Sequence, residues 1–183
     1  MRKLKLQVQM TVDGYIAGPQ GEMDWANRNW DSELKRYVGE ITEPVDCIVL
    51  GRKLAQGFIP HWASHPEEEG ADKFNQTHKV VFTKTLAKSE WDNTVLATGD
   101  LVDEITKLKQ RDGQDLIAYG GATFVSALIK HGLIDEFHLF INPAVLGNGL
   151  TIFKELDHPQ ALTLIKATPF DCGIVVLHYE PKR

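Results

Sequence analysis

The chain has 183 residues, of which 43% are hydrophobic and 25% charged, as in an ordinary globular protein. This length suits one compact domain spanning residues 1–183. The formal net charge of −5, with scattered lysines and arginines, argues against a general nucleic-acid-binding protein. No apolar stretch approaches the ~20 residues that cross a bilayer, and the N-terminus lacks a signal-peptide pattern. We therefore expect a cytoplasmic protein with no membrane partner.

The cysteines and histidines give no clear metal or disulfide pattern. Cys47 falls in a predicted strand and Cys172 in a turn, with no C-x-x-C spacing, which indicates reduced thiols. His61 and His65 have the spacing of two helical metal ligands, but prolines bracket them and no third ligand is evident. We therefore expect no metal site.

The first half of the chain alternates between predicted strands and helices. Alternating apolar residues over Leu4–Met10 predict a strand with one buried face. Asp31 or Ser32 is suited to cap a helix with apolar residues at i, i+3, i+4 and i+7. Val45–Leu50 is the next strand. The segment Phe58–Gln76 contains two prolines and three glutamates, and we expect it to be mostly loop.

The second half continues the alternation and ends in a hairpin. His78–Phe82 and Thr94–Ala97 are predicted strands, and Asp100–Gln110 is a helix capped by its first residue. Leu162–Ala167 and Ile174–Tyr179 alternate around a short turn, which predicts an antiparallel hairpin. The element order favours an α/β fold with a mixed, mostly parallel sheet.

The stretch Asp115–Leu150 predicts a strand, a Gly-Gly pair, a helix, a glycine and a second strand. Asp115–Tyr119 and Phe137–Ile141 are the strands, and Ala122–His131 places its apolar residues on one helical stripe. Gly132 stands where a left-handed residue ends a helix. Two strands joined by a helix of this length should run parallel.

Gly120 and Gly121 lie at the first joint of this unit. Because they have no Cβ, another molecule can approach their backbone. The N–H groups of Ala122, Thr123 and Phe124 are expected to be free at the positive end of the helix dipole, a combination that favours a phosphate. The alternative is that the two glycines only form a tight turn.

Residues after two other strands extend this candidate site, because ligands bind at the carboxyl ends of strands in open α/β sheets. The residues that follow the second and third strands are Gly51, Arg52, Lys53, Thr83, Lys84 and Thr85. Cations and hydroxyls suit a ribose phosphate, and free amides suit a pyrophosphate. The pattern favours NADPH over NADH as cofactor. The alternative is that these cations are ordinary solvated loop charges.

Three stretches resemble the dihydrofolate reductase superfamily, and more closely its branch with the reductase domain of bifunctional riboflavin-biosynthesis proteins. T-V-D-G-Y-I-A (residues 11–17) is similar to the S-L-D-G-x-I-A stretch after the first strand, and G-R-K (51–53) to the G-R-x-T turn. Y-G-G-A-T-F (119–124) resembles the G-G-A helix start. Residues 133–149 resemble the D-E-x-x-x-x-x-x-P-x-x-x-G-x-G strand and loop.

This resemblance implies a three-layer dihydrofolate-reductase-like fold and an NADPH-dependent reductase. The residues from Gly120 to Phe124 would hold the pyrophosphate, and the cationic turns would surround the 2′-phosphate. Ala17 and Trp25 would lie near the nicotinamide on a mobile loop. A hydride would pass to a pteridine- or aminopyrimidine-like heterocycle in the adjoining cleft. The family also implies a homodimer, with the C-terminal hairpin as a candidate contact.

Departures from the family pattern limit the assignment of substrate-binding residues. Leu54 stands where dihydrofolate reductases usually have threonine, and Tyr119 stands where riboflavin reductases have glutamate. Asp31 is the acid nearest to the family's proton-assisting carboxylate and is our candidate catalytic residue, although it also suits a helix cap. Asp13 and Asp24 are candidates for substrate binding with Tyr119, and Asp13 also suits a plain turn.

The missing family carboxylate leaves a second function open. A reductase-like protein with this pattern would bind a dinucleotide or a pterin without turning it over. Steady oxidation of NADPH with a folate or aminopyrimidine separates the two functions.

Overall fold

The computed structural model describes all 183 residues. It contains eight strands and five helices. The strands are β1 (Leu4–Met10), β2 (Val45–Gly51), β3 (His78–Phe82), β4 (Thr94–Ala97), β5 (Asp115–Ala118), β6 (Glu136–Ile141), β7 (Leu162–Pro169) and β8 (Val175–Pro181). The helices are α1 (Ser32–Thr42), α2 (Arg52–Ser64), α3 (Ala71–Gln76), α4 (Leu101–Gln110) and α5 (Ala122–Lys130). None of the helices is long and apolar enough to cross a membrane.

All strands form one sheet in the order β4-β3-β2-β5-β1-β6-β8-β7. The strands from β4 to β6 in this order are parallel to their neighbours, and β8 and β7 form an antiparallel edge. The predicted mixed sheet and C-terminal hairpin are therefore confirmed. Helices α4 and α5 pack on one face of the sheet, and α1, α2 and α3 pack on the other, which gives the predicted three layers.

Strand β1 is buried on both faces, so the prediction of one buried face is wrong. Leu4, Leu6 and Val8 join the main core under α4 and α5. On the opposite face Lys5 and Gln7 are only 6% and 8% exposed. The reason is the position of β1 between β5 and β6, since a central parallel strand is covered by helices on both sides.

The segment Phe58–Gln76 is mostly helical, so the expected loop is also wrong. Helix α2 continues through Pro60, although proline in a helix interior costs roughly 3 kcal/mol. Aromatic packing offsets this cost, because the rings of Phe58 and Trp62 lie 5.3 and 5.7 Å from the ring of Phe74 in α3. The Ser64 hydroxyl also donates a hydrogen bond to the Pro60 carbonyl, at 2.9 Å.

The predicted helix ends agree closely with the structure. Asp31, and not Ser32, caps α1, since its carboxylate accepts a hydrogen bond from the Leu34 N–H at 2.9 Å. At the end of α5, Gly132 has a φ of 64° and its N–H donates to the Ile129 carbonyl at 3.0 Å. A positive φ favours glycine there, as the sequence predicts.

Candidate active site

The Gly-Gly pair opens α5 with unpartnered amides. Gly120 and Gly121 have φ values of 146° and 81°, in the region that favours glycine. The first helical hydrogen bond runs from Val125 N–H to the Gly121 carbonyl, at 2.9 Å. The N–H groups of the three residues between them, 122–124, have no hydrogen-bond partner. These amides and the helix dipole form a potential phosphate cradle.

Helix α2 begins directly beside this cradle. A Cβ added to Gly51 would lie 2.9 Å from the Phe124 Cβ, closer than side chains normally approach. The Phe124 ring also packs on Phe82 at the end of β3, with ring centroids 5.3 Å apart. The carboxyl ends of β2, β3 and β5 therefore meet at one rim, as the sequence predicts.

Two cations at the start of α2 have no acidic partner. Arg52 is the first residue of the helix, and its guanidinium donates only to the Gln56 side-chain oxygen, at 3.1 Å. Lys53 is exposed and forms no ion pair or side-chain hydrogen bond. Both charges are therefore available to an anion at this rim.

The turn after β3 is held by its own side chains. The buried Thr83 hydroxyl accepts hydrogen bonds from the N–H groups of Thr85 and Leu86, each at 3.1 Å. The Lys84 ammonium donates to backbone carbonyls of residues 98 and 99, at 2.8 and 2.9 Å. Lys84 thus stabilises the neighbouring loop, while the Thr85 hydroxyl contacts only that of Thr83, at 3.5 Å.

A cleft of about 370 Å³ adjoins the glycine pair on the α1–α2 face of the sheet. Gly120 and Gly121 border it, and most of its wall is apolar and aromatic. Its lining includes Gln7, Trp30, Val38, Phe58, Trp62 and Tyr119. A concave apolar site with a few polar groups is typical of small-molecule binding.

Tyr119 is the predicted substrate-binding residue that lies in this cleft. Its ring packs on Phe58 and Phe74, with centroids 5.8 and 6.5 Å away. Its hydroxyl has no hydrogen-bond partner in the protein, and burial raises its pKa, so the group stays neutral at physiological pH. A neutral hydroxyl thus replaces the carboxylate that the family places here.

Asp31 lies outside the cleft and has both carboxylate oxygens occupied. One accepts from the Leu34 N–H and the other from the Cys172 N–H, each at 2.9 Å. These two hydrogen bonds lower the pKa of Asp31. The carboxylate joins α1 to the β7–β8 turn, so its predicted catalytic role gains no support from its position.

Asp13 links two loops near the end of β1. Its carboxylate accepts hydrogen bonds from the Thr11 hydroxyl at 2.6 Å and from the amides of Leu146 and Gly147 at 3.2 and 2.6 Å. The Thr11 contact, followed by the Gly147 contact, lowers the pKa of Asp13. Asp24 is exposed and forms no side-chain hydrogen bond, and neither aspartate lines the cleft.

Ala17 is tied to the segment after β6 by a short antiparallel bridge. The Leu150 N–H donates to the Ala17 carbonyl, and the Ile16 N–H donates to the Leu150 carbonyl, both at 2.9 Å. Trp25 donates its indole N–H to a backbone carbonyl in the same loop, at 3.1 Å. The backbone of Leu150 therefore holds in place the loop that is predicted to lie near the nicotinamide.

We expect Gly149→Ala to break this bridge. The added Cβ would lie 2.3 Å from the Ala17 carbonyl oxygen, which is backbone and cannot rotate away. Hydrogen exchange at the Leu150 and Ile16 amides should accelerate at least tenfold. Gly39→Ala in α1 is the control, since its backbone is helical and a Cβ there meets nothing within 4 Å. Unchanged protection of both amides in Gly149→Ala would show that the loop is not held by this bridge.

Two cleft residues were missed by sequence reasoning. The side-chain oxygen of Gln7 and the indole nitrogen of Trp62 are buried without a hydrogen-bond partner, and both residues line the cleft. Alternation along β1 suggested that Gln7 faces solvent. Trp62 fell in the segment expected to be loop. The central place of β1 in the sheet is the signal that would have indicated burial of Gln7.

The structure supplies the third group that the paired histidines of α2 lacked in sequence. His61 Nε2 lies 3.2 Å from the Glu68 carboxylate, and the His61 and His65 rings stack at 4.5 Å. All three residues offer ligand atoms within 4.8 Å of one another. A third potential ligand is therefore present beside the two histidines, and the absence of a metal stays a prediction.

A buried polar chain lies on the other side of α1. The Tyr37 hydroxyl is 2.6 Å from His138 Nδ1, and His138 Nε2 is 3.2 Å from the Glu136 carboxylate. Donation from Tyr37 to Nδ1 leaves Nε2–H to donate to Glu136, so a neutral His138 satisfies both contacts. His138 is only 2% exposed, so it is a packed core histidine.

Comparison with known proteins identifies the family. The family model of the RibD C-terminal domain matches residues 2–176. The chain belongs to the RibD C-terminal domain family. It is 31% identical over 185 aligned residues to the uncharacterized protein YyaP of Bacillus subtilis, covering 97% of this chain and 94% of YyaP.

Solved structures place the RibD C-terminal domain among dihydrofolate-reductase-like folds. The diaminohydroxyphosphoribosylaminopyrimidine deaminase/5-amino-6-(5-phosphoribosylamino)uracil reductase of Thermotoga maritima superimposes with a TM-score of 0.73 and 18% identity, over 99% of this chain and 57% of that one. Dihydrofolate reductase from Enterococcus faecalis, complexed with NADP(H) and RAB-propyl, gives 0.67 and 16%, over 99% and 97%. At these identities the likeness concerns the fold, and the resemblance stated from sequence is confirmed.

Proposed function

We propose that this RibD C-terminal domain protein is an NADPH-dependent reductase that transfers a hydride to a pteridine- or aminopyrimidine-like heterocycle. The observation that carries the proposal is the α5 helix start, with three unpartnered amides, opening beside an apolar cleft of about 370 Å³. Family membership and the likeness to reductase folds support it.

Backbone amides and cationic side chains would bind the cofactor phosphates, and the shape of the cleft would orient the substrate. The amides of residues 122–124 would hold the pyrophosphate, and Arg52 and Lys53 would pair with the adenosine 2′-phosphate. The bound cofactor supplies the hydride. The loop at Ala17 would close beside the nicotinamide, and the aromatic walls of the cleft would orient the heterocycle and exclude water.

One observation favours a binding module without turnover as the second candidate. The only carboxylate that lines the cleft belongs to Glu69. Its side chain is 72% exposed and lies 3.2 Å from the Lys35 ammonium. Protonation of the heterocycle would then depend on solvent or on Tyr119. Sustained oxidation of NADPH with a panel of folates and aminopyrimidines would exclude the inactive module.

The cofactor assignment is tested with Arg52→Gln. We expect the dissociation constant for NADPH to rise about tenfold, or about 1.4 kcal/mol, while that for NADH stays unchanged, because only NADPH carries the 2′-phosphate. Calorimetric titration of both dinucleotides measures this. Lys107→Gln on α4 removes an equal charge from the opposite layer and should change neither value. Absence of NADPH binding to the wild-type protein would reject the proposed function.

We also propose a homodimer joined through the β7–β8 hairpin. Leu164 and Ile165 on the edge strand β7 are 53% and 49% exposed, more than apolar side chains usually are. Sedimentation velocity should give the mass of a dimer for the wild-type protein and of a monomer for a Leu164→Lys, Ile165→Lys variant. A wild-type monomer at micromolar concentration would reject the dimer.

A further inference from the structure

We propose that the Gln7 side-chain amide forms hydrogen bonds with the polar edge of the substrate ring. We also propose that this edge is a neutral lactam with adjacent C=O and N–H groups. The Trp62 indole N–H is a second contact, to an acceptor elsewhere on the same ligand. This inference rests on the proposed function, since it names the substrate chemistry of the same cleft.

Gln7 differs from its neighbours on the same face of β1. The Lys5 ammonium lies 3.1 Å from the Ile41 carbonyl and 3.3 Å from an Asp115 oxygen. Gln9 accepts a hydrogen bond from the Asn142 side-chain amide, at 2.8 Å. The Gln7 amide is buried and makes no hydrogen bond within the protein. Buried polar groups are almost always partnered, so an unpartnered one in a binding cleft indicates a missing ligand.

A second unpartnered group belongs to another wall of the same cleft. Trp62 projects from α2, and its indole nitrogen is buried without an acceptor. Its ring is fixed by Phe58 and Phe74, with centroids 6.1 and 5.7 Å away. The indole N–H can only donate, so its partner on the ligand must be an acceptor.

The hydrogen-bonding pattern of a primary amide indicates which edge of a ligand it can bind. An amide presents one donor and one acceptor side by side, and a lactam presents the complementary pair, so the two form a two-bond contact. Exchange of the amide O and N positions leaves this match unchanged.

Charge around the cleft disfavours a protonated ring. Arg28 and Lys73 border the cleft, while its one carboxylate, on Glu69, is mostly exposed and faces Lys35. A diaminopyrimidine cation would therefore be buried beside like charges without a counter-ion, which is strongly unfavourable. A neutral lactam ring avoids this cost.

The test compares two ligands that differ in the lactam hydrogens. Lumazine (pteridine-2,4-dione) has them, and 1,3-dimethyllumazine does not. With NADPH saturating, we expect the wild-type protein to bind lumazine at least tenfold tighter, as measured by calorimetry. Gln7→Met should lose this preference but keep its NADPH affinity. Its melting temperature without ligand should not fall, because the substitution removes an unpartnered buried amide.

Two further variants keep the test decisive. Gln110→Met on α4 removes an exposed amide outside the cleft, and should keep both the lumazine preference and the melting temperature. Gln7→Glu should shift the preference toward 2,4-diamino-6,7-dimethylpteridine, because the carboxylate supplies the missing counter-ion. A wild-type protein that binds NADPH but does not distinguish the two lumazines overturns the inference and leaves the proposed function intact. So does a preference that neither Gln7 variant changes.

Discussion

Thr123→Asp should lower the affinity for NADPH about a hundredfold, or about 2.7 kcal/mol, without destabilising the protein. Thr123 is the second residue of α5, between amides that have no hydrogen-bond partner. A carboxylate there would repel the pyrophosphate and compete for the same amides. The same carboxylate should stabilise the free protein by ~0.3–1 kcal/mol, because it lies at the positive end of the helix dipole.

A neighbouring lysine should add to the stabilisation of the free Thr123→Asp protein. The Lys154 ammonium lies 3.2 Å from the Thr123 hydroxyl, so it would pair with the introduced aspartate. Thr123→Asn is the matched control, because asparagine has the shape of aspartate without its charge. Its affinity for NADPH should fall less than tenfold. Calorimetry gives the affinities and thermal unfolding gives the stabilities. If Asn and Asp weaken NADPH equally, the phosphates do not bind at this helix start.

Lowering the pH from 4.5 to 2 should reduce the free energy of unfolding by up to about 3 kcal/mol through Glu136 alone. The hydrogen bond from His138, followed by that from Lys3, lowers the pKa of this carboxyl from 4.5 to about 2. His178 also faces it, at 4.0 Å. Because the folded protein binds this proton less readily than the unfolded chain, the stabilisation is present above pH 4.5. It is lost as the pH falls toward 2.

Glu136→Gln isolates this contribution. The variant should show a flatter dependence of stability on pH below 4.5, measured by urea unfolding at closely spaced pH values. At neutral pH its melting temperature should fall by about 6–12 °C, given ~2–4 °C per kcal/mol for a chain of this size. Glu33→Gln is the control, because Glu33 is paired with Arg36 on the exposed face of α1, with side chains 63% and 67% exposed. An equally steep acid loss in Glu136→Gln would assign the effect to other carboxylates.

The features that the sequence predicted well depend on residues close together in the chain. The cap of α4, the end of α5 at Gly132 and the free amides after Gly121 are each determined within one helical turn. Strand-end residues were also placed on one rim correctly, because a parallel sheet brings all carboxyl ends to the same side. The unpartnered amides of this helix start were therefore predictable before the fold was known.

The features that the sequence missed depend on residues far apart. Gln7 is buried because β1 lies between strands that begin more than a hundred residues later, at Asp115 and Glu136. Helix α2 continues through Pro60 because Phe74 packs against the aromatic rings of the helix. Asp31 has no free oxygen because one accepts from Cys172, 141 positions away. No local pattern reports such contacts.

The insertion of β1 between β5 and β6 has a consequence for the order of assembly. These two strands are consecutive around α5, yet the crossover leaves a slot that only the first strand of the chain fills. Leu6 finds its partners at Ala118 and Phe137, so β1 has neither neighbour until most of the polypeptide exists. Such distant pairings slow folding, since a long loop must close, at a cost in entropy, before the stabilising contacts form. The first strand to leave the ribosome therefore waits for β5 and β6, and the cleft that it lines forms only after β5 has been made.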